Sequence, residues 1–300
     1  MNNIRKIKKI ITAKPVVEGA GVHLKRVFGY HEMPELDPFL LLDHFGSDDP
    51  ADYTAGFPWH PHRGIETVTY MIEGDVEHRD SIGNHGTITS GDVQWMTAGS
   101  GIIHQEMPRK YDGTMRGFQI WFNLPKSHKM MEPRYRDLKS KMIPMLKQEN
   151  GVTINLICGE YDGVKGPAKH IVVDNTYVDV TVPADSTFEM KTVPDYKTIA
   201  YVFEGAGRFD ADSGKMIRPE NLVLYEDGDR VHVSTADFPV RFILISGEPL
   251  NDPIAWRGPI VMNTQEELVE AFREYREGTF IKSGEYPVHD ENHIPYKREK

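Results

Sequence analysis

The runs "ETVTYMI", "GDVQWM", "GFQIWFNL", "VTINLICG", "HIVVDNTYVDVTV", "KTIAYVFEG", "NLVLYE" and "VRFILIS" are short and rich in Val, Ile, Tyr, Phe and Thr. Glycine, proline and aspartate recur between them at short intervals. Such spacing leaves little room for long helices and predicts many short strands joined by turns, an all-β sandwich or barrel. One segment departs from it. "NTQEELVEAFREYREG" at 263–278 carries a capping-box pair, Thr264 with Glu267, places Leu268, Phe272 and Tyr275 on one face, and ends on Gly278. It predicts a C-terminal packing helix. The stretch 124–150, rich in Lys, Pro and Met, predicts a connector with partial helix and a domain boundary, giving domains 1–135 and 136–300.

An internal repeat supports two domains of one kind. Sliding the chain by 131 residues sets "TVTYMIEG" at 67–74 on "TIAYVFEG" at 198–205, with Thr67 on Thr198, Tyr70 on Tyr201 and Gly74 on Gly205. The expected architecture is two β-domains in tandem. The same register places Lys191, Val193 and Lys197 where the first half has His60, His62 and Glu66.

Those three residues lie in "FPWHPHRGIETVTYMIEG" at 57–74. Residues i and i+2 of a strand share a face, so His60 and His62 can converge on one point, and Glu66 joins them if the pleat is regular. Pro61 donates nothing to a ladder, which predicts an edge or a bulge there. A second i, i+2 pair, His104 and Glu106 in "SGIIHQEM", follows the glycine-rich turn "TAGSG". Two such pairs on two strands can supply three imidazoles and one carboxylate to one ion, a set suited to Fe, Ni, Cu or Zn. Four protein ligands leave two positions of an octahedral ion open, unlike a closed structural zinc. The alternative is two unrelated pairs of histidines. His44, His78 and His128 are read as structural or exposed side chains, and His232, His289 and His293 carry no local constellation.

Bulk properties narrow the function classes. A net charge of −10 disfavours nucleic acid as a partner, and "RKIKK" at 5–9 alternates as an edge strand would. No apolar run approaches a membrane span or a signal-peptide core, so the expected compartment is the cytoplasm. The single cysteine, Cys158, excludes an intramolecular disulfide and sits in an apolar run as a buried small hydrophobe.

The blocks "LLDHFG", "HPHRGIETVTYMIEG", "GDVQWMTAGSGIIHQEMP", "IWFNLP…HKM…PRY" and "PIVMNTQEELVEAFREY" together resemble the pirin family of the cupin superfamily, from about residue 5 to 280. The resemblance implies a bicupin: two tandem antiparallel β-barrels with a metal only in the first. It carries the ligand role to His60, His62, His104 and Glu106, and leaves Glu66, the ligand in cupins more widely, as a structural group. It implies one divalent ion, Fe(II) first, with Mn, Ni, Co, Cu or Zn as alternatives, in a monomeric protein. Two activities come with it. One is quercetin 2,3-dioxygenase chemistry on a flat aromatic substrate and O2, releasing carbon monoxide. For it, the residues themselves suggest Glu106 as general base, since a carboxylate with one metal-bound oxygen can take a proton with the other. They also suggest Phe57 as an apolar contact to the substrate, and Gln119 as a polar one if it faces inward. The other is an iron-binding, redox-responsive regulator that acts on a partner protein.

Overall fold

The glycine, proline and aspartate punctuation becomes turns between antiparallel strands, as seen in a computed structural model that describes residues 3–212 and 214–282. His289 and His293 lie outside the described residues. The chain forms two β-units. One contains residues 15–35, 39–140 and those described from Leu250 on; the other contains those up to Lys14, 36–38 and 141–249. The units are therefore discontinuous, unlike the expected division into 1–135 and 136–300. The first segment of the chain joins the unit built by the second half, and the last segment joins the unit built by the first half.

In the unit built mainly from residues 15–140, one sheet has seven strands in the order Arg134–Leu138, Val93–Thr97, Ile65–Glu73, Met115–Asn123, Phe39–Ser47, Val22–Phe28 and Lys14–Glu18. A four-stranded sheet contains Phe57–His62, Ile102–Pro108, Val76–Asp80 and His85–Ile88 in that order. The other unit repeats the plan. Its seven-stranded sheet holds Lys197–Gly205 third in line, as Ile65–Glu73 is third in the first, and its four-stranded sheet begins with Thr187–Lys191 beside Arg230–Ser234.

The two interiors differ. In the second unit Phe188, Met190, Val231 and Val233 point inward and join one apolar core with Phe209 and Phe242. Register pairs Met190 with Val231 and Phe188 with Val233, on the two strands that correspond to Phe57–His62 and Ile102–Pro108. The ungapped slide misplaces this correspondence, because Lys191 and Val193 are exposed. His232 points outward to Glu189 at 3.1 Å. Each inward aliphatic or aromatic side chain there contributes about 1.5–3 kcal/mol through burial.

One of two local expectations needs revision. Residues 124–150 hold no α-helix: Pro133 and Pro144 interrupt them, and they form the short 3-10 turns Lys126–His128 and Ser140–Met142 and the strands Arg134–Leu138 and Met145–Lys147. The basic stretch at the start does form an edge strand, Ile7–Thr12, against Asn221–Tyr225. Arg5, just before it, is buried, donating to Thr192 Oγ1 and to the carbonyls of Val193, Pro194 and Glu226 at 2.7–2.9 Å.

The helix forms at Gln265–Glu277 with Thr264 and Glu267 completing the capping box and Gly278 left-handed at φ 71°. Leu268 and Ala271 pack with Phe272 and Tyr275 on Ile103, next to His104. No helix among the described residues is long and apolar enough to cross a membrane. Leu268→Ala is expected to cost about 2–5 kcal/mol in urea denaturation. Val269→Ala, at an exposed position on the same helix, should change stability by less than about 0.5 kcal/mol. Equal effects would contradict this packing.

Candidate metal centre

His60 and His62 close an edge strand whose neighbour carries the second pair. His60 lies opposite His104 and His62 opposite Ile102, and the register slips between His104 and Glu106, so that Glu106 lies opposite Phe57. The chain then turns at Gly64, so Glu66 belongs to the next strand and leaves the face that His60 and His62 share. Gly64 has φ 77°, and a Cβ there would stand 1.9 Å from the Val261 carbonyl oxygen. Only glycine accommodates both conditions. The turn is held by buried Lys129, whose ammonium donates to the carbonyls of Gly64 and Val261 and to Asn123 Oδ1 at 2.5–2.9 Å. Arg63 beside it donates to the Ser100 and Phe280 carbonyls and pairs with Glu274 at 2.7 Å.

The three imidazoles converge. The ring of His104 lies 4.3 Å from that of His60 and 5.0 Å from that of His62, centroid to centroid. His60 Nδ1 is 2.8 Å from the Pro58 carbonyl oxygen and His62 Nδ1 is 3.1 Å from that of Pro259. A carbonyl only accepts, so both Nδ1 atoms carry the proton and both Nε2 atoms present lone pairs in the neutral rings. Those two Nε2 atoms are 3.1 Å apart. Two lone pairs at that distance cannot hydrogen-bond to each other, and a shared cation is what would satisfy both. Burial lowers the basicity of His60 and, more strongly, of His62 and His104, so the neutral form that binds metal is favoured. His104 is fully buried, and neither ring nitrogen has a hydrogen-bond partner. These residues therefore fit a metal ion.

Glu106 stands slightly apart. His60, His62 and His104 form one group with ligand atoms all within 4.8 Å of one another, whereas Glu106 groups with His104 and His78. Thr69 Oγ1 is 3.1 Å from Glu106 Oε1 and also touches Gln119 Oε1, and its one proton serves one of them at a time. Gln119 Nε2 faces Glu106 Oε2 at 3.4 Å. Glu66 joins neither group; it is buried and accepts from Thr97 Oγ1 at 2.5 Å. His44 and His128 stay outside both groups. His78 does not: it is buried, bonded through Nε2 to Asp80 at 3.1 Å and stacked on Tyr135. Its sequence signal is the i, i+2 spacing of His78 and Asp80, the same spacing as in His60/His62 and His104/Glu106.

A cavity of about 700 Å³ opens onto this centre. Phe57, His60, His62, Glu106 and Gln119 line it, with Trp121 and Trp256 among its apolar walls. That size suits a small organic ligand. Trp256 and Pro259 come from the last segment of the chain, and no local motif in the sequence marks either as part of a site.

The comparisons with known proteins come to bear on this geometry. Residues 21–122 match the family model described as Pirin, and residues 177–281 match the Pirin C-terminal cupin domain. A "Pirin-like protein" of Caulobacter vibrioides is 42% identical over 92% of this chain and 99% of its own length. A Pseudomonas aeruginosa protein, named provisionally as a quercetin 2,3-dioxygenase, is 40% identical over 93% of this chain and 99% of its own. A crystal structure titled quercetin 2,3-dioxygenase from Acinetobacter baumannii superposes with TM-score 0.85 at 32% identity, covering 92% of this chain and 98% of that one.

Gly64→Ala is expected to destabilise the protein by about 2–4 kcal/mol, from a left-handed backbone and the clash with Val261 together. Chemical denaturation of the metal-free protein checks this, and an unchanged midpoint would contradict the close approach.

Proposed function

This chain belongs to the pirin family, and from that premise we propose that it is a metal-dependent dioxygenase cleaving quercetin or a related flavonol. The observation that carries the reading is the pair of Nε2 lone pairs 3.1 Å apart, each ring fixed from behind by a carbonyl, at the wall of a cavity sized for a flat aromatic molecule. The likeness to a structure titled quercetin 2,3-dioxygenase supports the choice of substrate class.

His60, His62, His104 and Glu106 would hold the ion, Fe(II) in the first instance, with Mn, Ni, Co, Cu or Zn as alternatives that an imidazole-rich set accepts. When bound, the ion supplies positive charge to stabilise a substrate oxyanion and open positions beside it. The protein's own groups do the rest. Glu106 takes the proton of the flavonol hydroxyl through a carboxylate oxygen. Thr69 and Gln119 hold that carboxylate in place. Phe57 and Trp121 flank the flat ring system and exclude water from it. The second unit supports no such chemistry at the corresponding strands, where Phe188, Met190, Val231 and Val233 fill the interior.

Reconstitution with Fe(II) and the other divalent ions, followed by measurement of quercetin loss and carbon monoxide release, tests this directly. His62→Ala is expected to lower metal affinity by at least about 100-fold, more than loss of an outer partner does, and to abolish turnover. Glu106→Gln should lose metal or turnover while Glu66→Gln retains the metal, read by elemental analysis. Metal uptake without ring cleavage for every ion would overturn the dioxygenase reading in favour of a metal-binding regulator that acts on a partner protein. Loss of metal in Glu66→Gln alone would overturn the ligand set.

A further inference from the structure

Five adjacent strands of the seven-stranded sheet place a polar side chain at one level. Gln94, Thr69, Gln119, Asp43 and Arg26 are successive cross-strand partners. Side chains at this level share one face, because register and pleat alternate together. Two residues along the strands of Gln119 and Asp43 on the same face, the next levels are apolar: Trp121 opposite Leu41 on one side, Gly117 opposite Phe45 on the other. The cavity is thus an apolar slot with a polar stripe across its floor. Thr69, Gln119, Asp43 and Arg26 all line it.

The two ends of the stripe have different chemistry. Thr69 and Gln119 engage Glu106 of the metal centre. At the other end, Arg26 donates from Nε and Nη2 to the two Asp43 carboxylate oxygens at 2.9 and 2.8 Å, and from Nη1 to Glu18 Oε1 at 2.7 Å. These three bonds leave Arg26 two N–H donors of its five, and both carboxylates keep spare lone pairs. Two carboxylates and one guanidinium carry a net charge of −1. Such a cluster accepts hydrogen bonds from neutral hydroxyls, donates through Arg26, and repels an anionic group. Gln119 and Arg26 lie two strands apart, about 10 Å at the usual strand spacing, which leaves room for the roughly 6 Å between the 3-hydroxyl of a flavonol and the far hydroxyl of its pendant ring with a hydrogen bond at each end.

We infer that Arg26, Asp43 and Glu18 form the specificity-determining end of the cavity, recognising adjacent hydroxyls on the pendant phenolic ring of a substrate whose other end sits at Glu106. This rests on the flavonol reading above and deepens it. One hydroxyl donates to Asp43 or Glu18, and its neighbour accepts from Arg26. A substrate with a carboxylate or sulfonate at that ring is excluded by charge.

Trp121 and Trp256 line the cavity, so quenching of their fluorescence in the Fe(II)-loaded full-length protein, without oxygen, reports binding apart from turnover. The probes are two flavonols that differ only in the pendant ring, one bearing two adjacent hydroxyls and the other unsubstituted. Wild type is expected to bind the dihydroxy compound about tenfold or more tightly, the increment of hydrogen bonds to charged groups, and a carboxyphenyl analogue more weakly than the unsubstituted one. Asp43→Asn should collapse the preference toward parity. Glu18→Gln, at a more exposed position, should reduce it and carries the test if the buried substitution fails to fold. Equal binding of the two flavonols by wild type, or a preference unchanged in the variants, would overturn the inference and leave the flavonol reading intact. Failure of wild type to bind either compound would overturn both.

Discussion

Everything at the centre depends on two ring nitrogens that face each other with nothing to share. His60 and His62 each spend the Nδ1 proton on a backbone carbonyl, and this turns their Nε2 lone pairs toward one another at 3.1 Å. Burial keeps both rings neutral, so neither nitrogen can gain a proton cheaply to relieve the encounter. The carbonyls come from different places in the chain, Pro58 within the same strand and Pro259 far downstream. The last segment is therefore part of the site. Its helix packs under Ile103, and its Glu274 pairs with Arg63 next to the second histidine.

The second unit shows what the fold requires without that centre. The order of strands is kept in both sheets, and the interior is filled with apolar side chains at the levels where the first unit has imidazoles. A buried Phe or Val gains burial energy with no partner to find, whereas a buried imidazole carries a polar atom that must be satisfied. The first unit gives up apolar packing at the positions of these imidazoles, and a bound ion would return what is lost by satisfying the nitrogens.

Much of this was legible in the chain. The two i, i+2 pairs announced themselves because strand periodicity is local, and so did the helix with its capping box. Glu66 was the instructive case: a regular pleat would have brought it to the histidines, but the turn at Gly64 moved it to the next strand, against Thr97. Long-range features were less legible. The ungapped slide matched one strand pair well but misplaced the flanking ones, since turn lengths differ and each one-residue slip inverts the inward face. Nothing local in "RKIKKIIT" at the start of the chain, or in the segment after Leu250, announced that the two join opposite units. Asp43 and Arg26 leave no local signal in the sequence, because their polar row exists only across strands, at one level of a sheet, and not along any stretch of chain.

The central claim is that His60 and His62 offer Nε2, not Nδ1, to one ion shared with His104 and Glu106. Anomalous diffraction at the iron edge from crystals of the Fe(II)-loaded protein tests it most directly. One peak per chain is expected, bonded to both Nε2 atoms, to His104 and to a Glu106 oxygen. A peak bonded to His78, His104 and Glu106 but not to His60 and His62, or one coordinated through either Nδ1, would contradict it.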